Sequence, residues 1–237
     1  MKNFYWGIRP YNFGDILTAN ILDYYGIRYN HTDDYNKANY FATGSIIRLA
    51  RNSVILGSGI IRKNENLSSD NEYRFVRGKL TRDRVIECGG SCPDIYGDPA
   101  LLLPRFIPPV EKKYKIGFVP HYSHRTNEIR RIVKDRGWHF IDLVNKNPVI
   151  PANEISSCEK ILSTSLHGII AAHAYNIPAS HVSIRGTRKL HGDGSKFLDY
   201  YSSIDLEHNI YSIDRPVFET GSLPDLDVIE NIFKSIT

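Results

Sequence analysis

The stretch that most restricts how this chain can fold is residues 160–178, Lys160-Ile-Leu-Ser-Thr-Ser-Leu-His-Gly-Ile-Ile-Ala-Ala-His-Ala-Tyr-Asn-Ile-Pro178. It reads as a buried strand, an abrupt turn carrying Ser165, His167 and Gly168, and an apolar helix stopped at Asn176-Ile-Pro178. An apolar strand feeding a helix through small residues is the unit from which parallel α/β sheets are built. The same turn leaves free N–H groups at the helix start, and with the helix dipole they make a place for an anion. A histidine planted there can meet an anionic substrate and move a proton.

The rest of the chain repeats the alternation. Strands are expected at 3–8, 40–42, 53–56, 73–76, 94–97, 114–119, 138–142, 160–164 and 180–184, and helices at 12–24, 80–88, 128–136, 152–158, 166–175, 196–202 and 227–236. Alternating short strands and helices argue for doubly wound parallel sheets flanked by helices. Three prolines in the six residues 104–109 are the best linker signal. They divide the chain into a lobe at 1–108 and a lobe at 109–237, with the last helix expected to pack back on the first lobe. Gly7-Ile-Arg-Pro-Tyr11 in the first half is echoed by Gly117-Phe-Val-Pro-His-Tyr122 in the second, a hint of two similar Rossmann-like units. Ligands of such folds sit outside the carboxyl ends of strands, here in the crevice between the halves.

Composition removes several function classes. The 237 residues are 41% hydrophobic and 24% charged, which suits a globular protein with a buried core. A net charge of +4 with no run of like charges gives nucleic-acid binding little support. No window approaches the roughly 18 apolar residues of a membrane span, and the N-terminus lacks the apolar core of a signal peptide. Cys88, Cys92 and Cys158 are too few for a disulfide framework and suit a reducing cytoplasm. Cys88 and Cys92 lack a second ligand pair, so no metal site is expected. Gly57-Ser-Gly59 lacks the third glycine of a dinucleotide fingerprint, and there is no P-loop.

Five clusters carry candidate chemistry. Ser165 is placed to cap the helix that Leu166 and His167 begin, and Gly168 to let a ligand approach the backbone. The dipole of that helix start should depress the His167 pKa when the site is empty, and a bound anion should raise it again. The bland alternative, a histidine that caps the helix or fills a gap, stays open from the segment alone. Arg77 closes an apolar strand and can grip a carboxylate or phosphate. His121, His124 and Arg125 follow another buried strand, as anion-handling groups or as a polar loop. Asn12, Gly14 and Asp15 occupy a further strand-to-helix turn, where Asp15 can accept a proton from a sugar hydroxyl or balance the helix dipole. Lys196 can reach the crevice from the 196–202 helix.

Taken in order, Asn12-Phe-Gly-Asp15, Leu56-Gly-Ser-Gly59, Val76-Arg-Gly-Lys-Leu-Thr81, Tyr96-Gly-Asp-Pro99, Gly117-Phe-Val-Pro-His-Tyr122 and Ser163-Thr-Ser-Leu-His-Gly168 resemble the polysaccharide pyruvyltransferase family. The likeness covers most of residues 3–201 and is to the bacterial exopolysaccharide branch, whose members attach pyruvate to a sugar as a ketal. It implies a fold like the two-lobed GT-B glycosyltransferases, with phosphoenolpyruvate as co-substrate and no further cofactor. It implies His167 as catalytic acid and Arg77 as a holder of donor charge. Around them we expect Ser165, Leu166, Gly168, His121 and Lys196 on the donor, Asn12 and Gly14 on the acceptor, and Asp15 as the acceptor's base. Many relatives carry arginine where this chain has Ser165, so that donor contact is either missing or supplied from elsewhere, by Lys196, Arg125 or Arg185. The expected partner is a saccharide acceptor, a lipid-linked one included, which would bring the enzyme to the membrane face where such glycans are built. Two other readings are a GT-B glycosyltransferase using a nucleotide-sugar and an inactive glycan-binding protein.

Overall fold

A computed structural model describes residues 1–7 and 11–236. The first half contributes β1 (Asn3–Tyr5), α1 (Phe13–Tyr24), β2 (Asn30–Thr32), β3 (Tyr40–Phe41), β4 (Val54–Leu56), β5 (Glu72–Phe75) and α2 (Lys79–Glu87). A short helix, α3 (Leu103–Phe106), leads to the second half. There follow β6 (Tyr114–Val119), α4 (Asn127–Asp135), β7 (His139–Phe140), α5 (Val149–Ser156), β8 (Cys158–Ser163), α6 (Leu166–Ala174), β9 (Ala179–Ser183), α7 (Ser195–Ser202), β10 (Tyr211–Ser212) and α8 (Leu226–Ser235).

Two five-stranded sheets result, in the orders β2-β1-β3-β4-β5 and β10-β9-β8-β6-β7, with every ladder parallel. Numbered from its own first strand, each sheet has the order 2-1-3-4-5. The two halves are therefore the same topological unit used twice, which the short glycine-proline echo only hinted at. Of that echo, Ile8, Arg9 and Pro10 lie outside the described residues. The chain order reverses between β1 and β3 in one sheet and between β6 and β8 in the other. Those reversals open the crevices where doubly wound sheets take their ligands. β1 runs toward the Asn12–Asp15 turn, β6 ends before His121 and β8 before His167, so both reversals face one inter-lobe cleft.

Two sequence expectations need correction. The 94–97 strand reduces to one isolated bridge, Val76 to Tyr96. The proline-rich stretch is not slack. Pro104 sits in the first turn of α3, where a missing N–H costs nothing. Ala100, Leu101 and Leu103, just before and inside that turn, are fully buried in the core of the second half, while Leu102 enters the core of the first. α8 returns across this seam and packs Ile229 and Phe233 against Phe4, Phe75 and Leu102.

A buried ion pair ties the halves together. Arg77 and Asp199 are both fully buried, and Nε and Nη2 of the arginine each lie 2.9 Å from Asp199 Oδ2. Asp199 stands on α7 yet caps α2: its carboxylate accepts the Thr81 N–H at 2.7 Å and the Thr81 hydroxyl at 2.7 Å. Gly78 precedes α2 and has no side chain to cap it, so the acid from the other half takes that place.

Candidate active site

The turn between β8 and α6 is held by Ser163. Its Oγ accepts the Ser165 N–H at 2.9 Å and lies 2.9 Å from the carbonyl oxygens of Val119 and Ser165. That arrangement folds the strand end sharply and sets α6 down with all nine residues buried. Ser165 occupies the N-cap position but makes no capping bond. Its hydroxyl is left to the cleft, and among the described residues no side chain closes the amides at the helix start.

Those groups line an inter-lobe cavity of about 180 Å³. Its walls include Asn12, Asp15, Gly44 and Ser45 from the first half, and His121, Tyr122, Ser165, Leu166, His167 and Lys196 from the second. Two larger cavities adjoin it. One of about 430 Å³ lies under the 184–194 loop, shares Lys196, and is largely apolar beside Phe197, His181 and His208. Another of about 460 Å³ shares His121, Tyr122 and His191 and carries Arg62, Arg188 and Lys189 at its rim. We place the chemistry in the smallest of the three. There both chain reversals, the uncapped helix start and the unpaired buried cation converge.

His167 is the central group. Its ring lies flat on α1, so close that a Cβ on Gly14 would stand 2.0–2.4 Å from the ring's Nδ1, Cε1 and Nε2. Burial, then the charges of Arg77 and Lys196, depress its pKa to about 3. The direction agrees with the sequence expectation, but burial and nearby cations are the cause. An anion bound beside the ring opposes both effects and favours the protonated form. Nε2 points inward, 3.8 Å from Asp98 Oδ2, and neither atom has a hydrogen-bond partner.

Lys196 is 9% exposed, and burial followed by the Arg77 charge lowers its pKa to about 8. Among the described residues its Nζ has no ion-pair or hydrogen-bond partner, and it lies 5.3 Å from the centroid of Phe197. It lines the inter-lobe cavity. His121 Nδ1 accepts the Ser123 N–H at 3.3 Å, so its proton sits on Nε2, available to the cavity. Asp15, bonded by Asn12 Nδ2 at 3.2 Å, is pushed by burial to about 6, ionised at neutral pH and poised to take a proton.

Three sequence expectations are revised by which way the residues face. Arg77 does not line the cavity. Besides Asp199, it donates to Ser45 Oγ at 2.6 Å and the Ile60 carbonyl at 2.5 Å, and it reaches the site only through Ser45 and its charge. Gly168 faces the sheet instead of a ligand, where a Cβ would meet Ser163 Oγ at 2.5 Å and Val119 Cγ1 at 2.6 Å. Gly14 makes room for the His167 ring, not for an acceptor. Of the substitutes for the family arginine, Lys196 reaches the cavity. Arg125 is bound to Asp142 at 2.6 and 2.9 Å, and Arg185 lines a separate surface depression beside Thr126. Asp98 stands in the Tyr96-Gly-Asp-Pro99 motif and Asp199 on the 196–202 helix, but neither pattern names the residue's partner. Each reads as a turn or helix acid, and only folding brings it to its partner.

Gly14→Ala is expected to push the imidazole out of position. Overpacking of that kind typically costs about 1–3 kcal/mol. The measurable result is a turnover loss of at least about tenfold from misplaced geometry, with the secondary structure unchanged by circular dichroism. Unaltered turnover would show that the ring is not held there.

Among the described residues no group of three His, Cys, Asp or Glu side chains could hold a metal ion, and no helix is long and apolar enough to cross a membrane. The polysaccharide pyruvyl transferase family model matches residues 12–185, which include the cavity-lining groups named above except His191 and Lys196. The chain is 34% identical over 189 residues to an uncharacterized protein, L143, of Acanthamoeba polyphaga mimivirus, covering 76% of this chain and 64% of that one. It is 29% identical over 198 residues to the succinoglycan biosynthesis protein ExoV of Rhizobium meliloti (strain 1021), covering 77% of this chain and 60% of the relative. The chain thus spans a little under two thirds of the length of the relatives it matches. With six motifs in order and the matched region centred on the cleft, the chain belongs to the polysaccharide pyruvyl transferase family.

Proposed function

We propose that the chain transfers pyruvate from phosphoenolpyruvate onto a saccharide as a ketal, releasing phosphate. The observation that carries this reading is the inter-lobe cavity, where a buried neutral histidine, an unpaired buried lysine and the uncapped start of α6 share one wall. Phosphoenolpyruvate is small, has two anionic groups, and needs a proton on its methylene carbon. Lys196, the Ser165 hydroxyl, His121 Nε2–H and the α6 amides hold its carboxylate and phosphate. Their negative charge raises the proton affinity of His167, which becomes the acid. The kinship with a protein named for succinoglycan biosynthesis supports a polysaccharide or its precursor as acceptor.

The reaction balances as follows. His167 gives a proton to the methylene carbon, which becomes the methyl group, and positive charge develops at the adjacent carbon. A sugar hydroxyl attacks that carbon and loses its proton to Asp15. The carbon–oxygen bond to phosphate then breaks, its electron pair leaving with the phosphate, which takes the proton from Asp15 and departs as hydrogen phosphate. A second hydroxyl of the same sugar closes the ketal, and its proton returns to His167. Ser45, ordered by Arg77, faces the same charge from the opposite wall.

Phosphoenolpyruvate at about a hundred times its Kd should stabilise the fold by about 2.7 kcal/mol. For a chain of this size that is a Tm rise of roughly 5–11 °C. Donor-dependent phosphate release, with a pyruvate ketal detected on the acceptor by mass spectrometry, completes the test. Stabilisation by UDP or GDP and not by phosphoenolpyruvate would point to a nucleotide-sugar transferase. Stabilisation by glycan alone, with no phosphate released, would point to a binding protein.

A further inference from the structure

We propose that Asp98 is the positioning residue of His167: it takes the ring's inward Nε2–H and thereby leaves Nδ1 as the atom that carries the proton to and from the donor. The proposal rests on the pyruvyl-transfer reading for its consequence in turnover, but not for the contact itself.

Asp98 Oδ2 and His167 Nε2 are sealed from solvent, lack a hydrogen-bond partner among the described residues, and lie 3.8 Å apart. Buried polar atoms are rarely left unsatisfied, so two facing each other call for an explanation. The gap is longer than a hydrogen bond, and a small ring movement closes it. Both groups are firmly placed. Asp98 Oδ1 accepts the Ala100 N–H at 3.0 Å, which fixes the carboxylate at the head of the fully buried 99–102 turn. The histidine ring is trapped over Gly14. Among the described residues His167 Nδ1 has no hydrogen bond, and His167 lines the cavity.

A neutral imidazole has one N–H. Two lone pairs facing each other repel, so a carboxylate opposite Nε2 places the proton there and the lone pair on Nδ1. Burial raises Asp98 to about 6, opposed by the Ala100 N–H and by Arg77, so it is ionised at neutral pH. The other charged groups acting on the ring are Arg77 and Lys196, both cationic, while Asp15 and His121 share the cavity wall. Asp98 is thus the anion that offsets those cations when the ring takes a second proton. It stabilises the imidazolium without touching the donor.

Asp98→Asn tests this with little change of shape, since the remaining carbonyl oxygen can keep the Ala100 contact. Its amide N–H turns Nε2 into an acceptor and drives the ring proton to Nδ1. The expected result is a kcat loss of about 10²–10⁴-fold with the donor KM changed by less than about threefold, since the variant touches no ligand group. The second readout is ¹⁵N NMR of histidine-labelled protein without donor. His167 of the wild type should carry its proton on Nε2, and in the variant on Nδ1. A wild-type ring protonated on Nδ1, or a variant with unchanged tautomer and kcat, overturns the proposal. The wild-type spectrum decides even if the variant does not fold. A protein inactive toward phosphoenolpyruvate but showing the Nε2–H tautomer would sink the functional reading while leaving the Asp98 contact standing.

Discussion

Replacing His167 with alanine is expected to lower donor-dependent phosphate release by about 10²–10⁴-fold, the span of a lost general acid. The fold should survive, because the ring borders the cavity and, among the described residues, its nearest polar neighbour is Asp98 Oδ2 at 3.8 Å, longer than a hydrogen bond. Circular dichroism of the variant should match the wild type. The loss should fall on kcat more than on the donor KM, because Lys196, His121 and the α6 amides remain in the cavity wall. Turnover within a few-fold of wild type would remove the histidine from the chemistry, and with it the mechanism.

The second large effect concerns stability. Asp199→Ala leaves the Arg77 guanidinium, fully buried, with only Ser45 Oγ and the Ile60 carbonyl as acceptors. It also strips the Thr81 N–H and hydroxyl of theirs. Breaking a buried ion pair from one side costs about 3–5 kcal/mol, because the remaining charge stays out of water. For a chain of this length that is a Tm loss of roughly 6–20 °C. Arg77→Ala should destabilise for the mirror reason. Replacing both by apolar residues, Arg77→Met with Asp199→Leu, should recover much of the loss. A variant of Asp199 that melts with the wild type would mean that the pair does not brace the halves. The place of Arg77 at a strand end, where it can grip a carboxylate or phosphate, points instead to weakened donor binding for Arg77→Ala. Its burial makes stability the primary effect and donor affinity a secondary one, felt through Ser45.

What was legible in the sequence follows from what periodicity encodes. Apolar strands and the helices between them mark themselves by composition, and β6, β8, α6 and α1 stand within two residues of where the pattern puts them. β2 (Asn-His-Thr) and β10 (Tyr-Ser) escaped notice because they are short, polar edge strands with one neighbour each. The 104–109 stretch does lie between the two sheets, but its first residues form α3, because proline is tolerated at a helix start, and the residues before it are core. In the site, the strand-to-helix junctions named Asn12, Asp15, His121, Ser165 and His167, which the fold brings to one cavity. A junction fixes where a residue is, not which way it faces. Hence Gly14, Gly168 and Arg77 were assigned to ligands although they serve the ring, the sheet and the lobe contact. Asp98 and Asp199 were out of reach for a different reason. Their partners are distant in the chain, and a lone acid beside a proline or on a helix has no local mark of its role.

The pyruvyl-transfer reading proposed above turns on one chemical event, proton delivery to the methylene carbon of phosphoenolpyruvate. Turnover in D₂O observes that event. With phosphoenolpyruvate and an acceptor glycan, the transferred group should carry a single deuterium in a newly formed methyl, and the carbon–carbon double bond should be gone. A product that keeps the double bond, as an enolpyruvyl ether, would contradict ketal formation and the role given to His167.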